Sequence, residues 1–112
     1  MDYSIEELNA ASAPLIPDEL LEGVARRFRY LGDPTRLRVL SELHAAGEAS
    51  VGELARRSGV PLASVSQHLN RLADGGLVER RREGTSVIYA IADPTIGRLC
   101  ELVCGTLLPR DS

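Results

Sequence analysis

The chain contains no lysine; all 13 of its basic residues are arginine. We read that as coding bias first and as function second. Its only cysteines are Cys100 and Cys104, too few for a disulfide framework. Its two histidines, His44 and His68, have no carboxylate or nucleophile pattern around them, and no phosphate-binding glycine loop is present. Together these absences argue against an enzyme. No run approaches the ~20 apolar residues that cross a bilayer, and no basic-then-apolar leader opens the sequence. The expectation is a cytoplasmic protein, away from membranes, with both cysteines as thiols. At 112 residues it is one domain, small enough for a partner subunit to add much stability.

What is present is unevenly placed. Residues 1–25 hold six acids and no arginine, whereas residues 26–98 hold 12 arginines against 8 acids. An acidic head on a basic body permits DNA binding despite the net charge of -3. Residues 1–16 read as an N-terminal arm, 17–108 as the folded domain and 109–112 as a tail.

The organising stretch is Gly59 to Gly76. Pro61 suits the first turn of a helix, and Leu62, Val65, Leu69 and Leu72 form one apolar stripe. Ser64, Gln67 and Arg71 fall on the opposite face with Asn70 beside them, and Ser66 and His68 on its flanks. Gln can pair with adenine, Arg with guanine and Ser with either, so this face suits a major groove. Upstream, Ser50-Val-Gly-Glu53 is a capping box that opens a short helix through Val51, Leu54 and Ala55. Short helix, glycine-containing turn and amphipathic second helix make a helix-turn-helix. Downstream, Leu77–Arg82 and Ser86–Ile91 read as strands around a Glu83-Gly84-Thr85 turn. Arg80, Arg81 and Arg82, with Thr85, would make that hairpin a basic wing touching phosphates. Its lack of an apolar patch argues against the alternative of a protein-interaction module.

Leu20, Val24, Phe28 and Leu31 predict a first helix, and Asp33-Pro34 caps a second along Leu37, Leu40 and Leu43. Asp93-Pro94 repeats that device before a last helix lined by Ile96, Leu99, Cys100, Val103 and Leu107. Leu102 and Leu108 lie off that face. A terminal helix apolar on more than one side needs a second cover, and the same helix of another copy supplies it. Ile96, Leu99, Val103 and Leu107 are therefore expected at a homodimer contact. The fold class is mainly α with a β-hairpin wing.

Taken together, Phe28–Leu40, Ser64–Leu69 and Glu83–Tyr89 resemble the ArsR/SmtB repressors over roughly residues 20–108. The resemblance implies a winged helix-turn-helix homodimer that binds a palindromic double-stranded DNA operator and lets go when an inducer binds. It also implies that His68 anchors the helix rather than reading a base. The family's thiolate pair on the first helix of the DNA motif is missing, because Glu48-Ala-Ser50-Val-Gly52 stands there. The site between terminal helices is missing too: Asp93 matches, but Thr95, Thr106 and Pro109 replace its partners. That leaves Cys100 and Cys104, spaced i, i+4 on one helix face. Two thiols suit a thiophilic metal or trivalent metalloid better than zinc, which wants about four ligands. Thiol joining by oxidants or reactive sulfur, and simple apolar packing, are the alternatives.

Overall fold

Two capping side chains set the frame. The Asp33 carboxylate accepts the Arg36 backbone N–H at 3.1 Å, and Ser50 Oγ accepts that of Glu53 at 3.2 Å. Each satisfies an otherwise orphaned donor at a helix start. The computed structural model describes residues 13–109. Most of the expected arm over 1–16 and of the tail over 109–112 lies outside them.

A single 3-10 turn, Asp18–Leu20, leads into α1 (Leu21–Leu31) and α2 (Pro34–Ala46). Then come β1 (Glu48–Ser50), α3 (Val51–Ser58), α4 (Leu62–Asp74), β2 (Val78–Glu83), β3 (Ser86–Ile91) and α5 (Thr95–Leu107). The strands form an antiparallel sheet in the order β1-β3-β2, with Ala49 opposite Tyr89 and Arg80 opposite Tyr89 on its other edge. Gly59 follows α3 at φ 73 and Gly84 turns the hairpin at φ 63, conformations that side-chain-bearing residues resist. The core joins Val39, Leu40 and Leu43 of α2 to Leu54 of α3 and to Val65, Leu69 and Leu72 of α4. Val78, Tyr89 and Ile96 close it from the sheet and α5. Burying each of the large aliphatic side chains stabilises the fold by about 1.5–3 kcal/mol.

Four expectations need correction. Pro61 is the N-cap of α4, extended at ψ 143, rather than its first helical residue. Leu62 is consequently the outermost residue of the first turn and is 57% exposed, outside the core stripe. Asp93 stands one residue further from α5 than a cap, because Pro94 occupies the cap position; its carboxylate still accepts the Thr95 N–H at 3.0 Å. Ile96, expected at the dimer contact, is 3% exposed in the protomer's own core and has no surface to give a partner. The sequence reading also lacked β1, whose three residues are too few to show a period.

Candidate nucleic-acid interface

The reading helix is held from behind. Val65, Leu69 and Leu72 are wholly buried, which fixes the roll of α4 and turns Gln67, Asn70 and Arg71 outward. Ser64 and Ser66 are half-buried at the rim. His68 is half-buried as well, and its Nδ1 accepts a hydrogen bond from Arg36 Nε at 3.4 Å. That bond ties α4 to α2. Pro61, Leu62 and Ala63 are exposed at the leading end of α4, where apolar groups can meet thymine methyls.

The wing is less uniform than its Arg triplet suggested. Side chains alternate along a strand, so Arg80 and Arg82 share one face of β2 and Arg81 takes the other. Buried Val78 lies on the first face, as does Tyr89 directly opposite Arg80; this is the side that meets the helices. From there Arg80 Nη1 donates to Asn70 Oδ1 on α4 at 3.0 Å. Arg82 extends the same row and has no carboxylate partner among the described residues. Arg81, on the outer face, makes two hydrogen bonds to Glu48, at 2.8 and 3.0 Å, and one to Glu83 at 2.8 Å. Those bonds hold the Glu48 carboxyl below its ordinary range and raise the Arg81 guanidinium further above its own. Thr85 is exposed at the wing tip.

The cysteines sit elsewhere. Cys100 is half-buried and Cys104 exposed, and both line a groove of about 390 Å³ between α2 and α5 with Leu37, Leu40, His44 and Ile91. Burial, and secondarily Cys104, pushes the Cys100 thiol above its ordinary pKa. Among the described residues no group of three or more His, Cys, Asp or Glu side chains could hold a metal ion. Asp93 is already engaged: it accepts Arg27 Nε at 2.8 Å and the Thr95 hydroxyl at 2.6 Å. Burial opposes ionisation of Asp93, but the bonds from Thr95 and Arg27 outweigh it and keep the carboxyl below its ordinary range. Apolar surface remains uncovered along Leu20, Leu21 and Phe28 at one end of the chain and Leu102, Val103, Leu107 and Leu108 at the other. No helix among the described residues is long and apolar enough to cross a membrane.

A polar reading face set beside a basic hairpin defines a winged helix-turn-helix. A family model described as a helix-turn-helix domain matches residues 31–81. The HTH-type transcriptional regulator KmtR of Mycobacterium tuberculosis is 43% identical over 84 residues, covering 75% of this chain. The aligned chain spans 64% of KmtR's own length, just under two thirds. Among solved structures, the homodimeric winged helix-turn-helix DNA-binding domain of Mb0332 from Mycobacterium bovis, a possible ArsR-family transcriptional regulator, is 40% identical. Its match has a TM-score of 0.70 and covers 82% of this chain and 87% of that one. The antimony-specific transcriptional repressor AntR is 31% identical with a TM-score of 0.80, over 95% of both chains. The chain therefore belongs to the ArsR/SmtB family of helix-turn-helix transcriptional regulators.

Proposed function

We propose that this chain is a transcriptional repressor, with no enzymatic activity, that binds a palindromic double-stranded DNA operator as a homodimer. The observation that carries the reading is the hydrogen bond from Arg80 to Asn70, which sets the cationic row of the wing beside the reading face of α4. Gln67, Asn70 and Arg71 read base edges, with Ser64 and Ser66 at the rim and Leu62 against a methyl group. His68 supports the helix from within. Arg80 and Arg82 take phosphates, Thr85 can join them at the tip, and Arg81 braces the outer face of the wing. The uncovered apolar rows of α1 and α5, Val103 and Leu107 among them with half-buried Leu99 beside, meet their copies across a two-fold axis. The homodimeric Mb0332 domain supports that assembly.

For the signal we propose a trivalent metalloid held by Cys100 and Cys104. Two thiols on neighbouring turns meet the needs of arsenic or antimony, which accept two or three thiolates. They do not meet those of zinc, since His44 and Glu101 line the same groove but no third His, Cys, Asp or Glu groups with the pair to hold a metal ion among the described residues. The likeness to antimony-specific AntR favours this choice over thiol oxidation. The repressor reading is tested by titrating salt against binding to random and operator-bearing duplexes. Binding that falls steeply with salt, and is tighter on the operator, is expected. Salt-independent binding, or none, would overturn it.

A further inference from the structure

A second basic feature lies beside the reading helix and shares with the DNA contacts above only Arg71, which stands on the border between the two. A cleft of about 320 Å³ is lined by Arg26, Arg29 and Tyr30 of α1, Arg36 of α2, and Arg71 and Asp74 of α4. Four guanidinium groups thus face one carboxylate. None of the four is ion-paired among the described residues, where every arginine in an ion pair is Arg27, Arg57 or Arg81. Arg36 is the telling member. It is only 8% exposed, yet its guanidinium donates to no carboxylate, only to His68 Nδ1 at 3.4 Å and the Tyr30 carbonyl at 3.3 Å. The nearby Asp33 carboxylate accepts its backbone N–H and not its side chain. Arginine is almost never buried without an opposing charge. Asp33 lies close enough for its carboxylate to feel the Arg36 charge, but no carboxylate hydrogen-bonds that guanidinium, and four arginines against Asp74 leave the cleft with room for a further anion.

The cleft is also preformed. The Arg36 guanidinium lies 5.7 Å from the centre of the Tyr30 ring. That ring in turn packs so closely on the end of α4 that a Cβ at Gly75 would come within 2.5 Å of it. The carboxyl end of α1 is therefore fastened to the carboxyl end of the reading helix. Arg71 lines the cleft and borders the reading face, so whatever fills the cleft lies along the edge of the groove that α4 enters.

We infer that this cleft seats a phosphodiester of the DNA backbone flanking the major groove. Arg26 and Arg29 make the contacts, Arg71 borders them on the side of the base edges, and Arg36 supplies the buried charge behind them. The inference rests on the DNA-binding reading above and adds α1 to the contact surface. It is tested in the full chain with Arg26→Gln, Arg29→Gln and the double variant, on a random-sequence duplex across a salt series. Arg98→Gln serves as a charge-matched control on α5, and circular dichroism as a check of folding. Affinity for random and operator duplexes should fall by the same factor, and the salt slope should flatten by about one unit per lost contact. The control should change neither. Wild-type slopes retained by the folded double variant overturn the cleft while leaving the repressor reading intact; a wild-type protein that ignores duplex DNA overturns both. A free anion is the other source of the same chemistry. Inorganic phosphate raising the Tm of the wild type but not of the double variant, with DNA slopes equal, would assign the cleft to a small ligand and refute the backbone seat.

Discussion

Replacing Arg82 by alanine and, separately, Arg81 by alanine tests the division of labour within the wing. The two residues are neighbours in sequence, carry the same charge and are both exposed, so composition gives no reason for them to differ. Strand alternation does: Arg82 shares the helix-side row with Arg80, while Arg81 turns to Glu48 and Glu83 on the outer face. One phosphate contact contributes about 0.9 to the slope of log K against log salt, and a dimer carries two copies, so Arg82→Ala should flatten the slope by about 1.8. Between about 50 and 200 mM salt, the affinity gap between wild type and variant should then narrow by roughly tenfold. Fluorescence anisotropy on a labelled random duplex reads this directly. Arg81→Ala should leave the slope near its wild-type value, because its charge is already matched by carboxylates. Equal losses of slope in the two variants would refute the face assignment.

Gln67→Ala and Ser64→Ala should narrow the ratio of operator to random affinity by roughly 1–3 kcal/mol per base contact, measured on paired duplexes. An unchanged ratio for Gln67→Ala would move the reading face elsewhere. Val103→Glu, on the uncovered row of α5, should yield monomers by light scattering, since it would place an unpaired charge at the two-fold contact. Cys100→Ser and Cys104→Ser should each bind operator normally but fail to release it on adding trivalent antimony. Because the Cys100 thiol is raised above its ordinary value, release by the wild type should strengthen as pH climbs through and beyond ~8.5. Full release from the double serine variant would make both cysteines packing residues. Gly75→Ala should displace the Tyr30 ring at a cost of about 1–3 kcal/mol. Calorimetry would show this as a Tm lowered by roughly 4–8 °C per kcal/mol.

The helices and hairpin were legible in the sequence because their signals are local. Asp33-Pro34, the Ser50 to Glu53 cap, the glycine after α3 and the β-branched run of β3 each act within a few residues. The apolar row of α5 was partly legible: Val103 and Leu107 leave apolar surface uncovered, but Ile96 on the same stripe turns into the core. Periodicity marks an apolar face without saying which body covers it. The ion pair of Arg81 was illegible for a similar reason, since its partner Glu48 is 33 residues away and meets it only across the sheet. The basic cleft left no trace in the pattern at all. Arg26 and Arg29, Arg36, and Arg71 come from three helices, and only their packing gathers them.

Ser50 is both the last residue of β1 and the cap of α3, and β1 is zipped to β3 of the wing. One residue thus belongs to the hairpin's sheet and to the helix-turn-helix at once, leaving no spacer between them. With Arg80 bonded to Asn70 at the other side, each protomer holds its wing and reading helix as one stiff head. Such a head has little freedom to retract its helix or fold back its wing in answer to a signal. In the homodimer proposed above, the adjustable quantity would then be the span between two heads. Successive major grooves recur every 34–36 Å along one side of a duplex, so control of binding reduces to keeping that span or spoiling it.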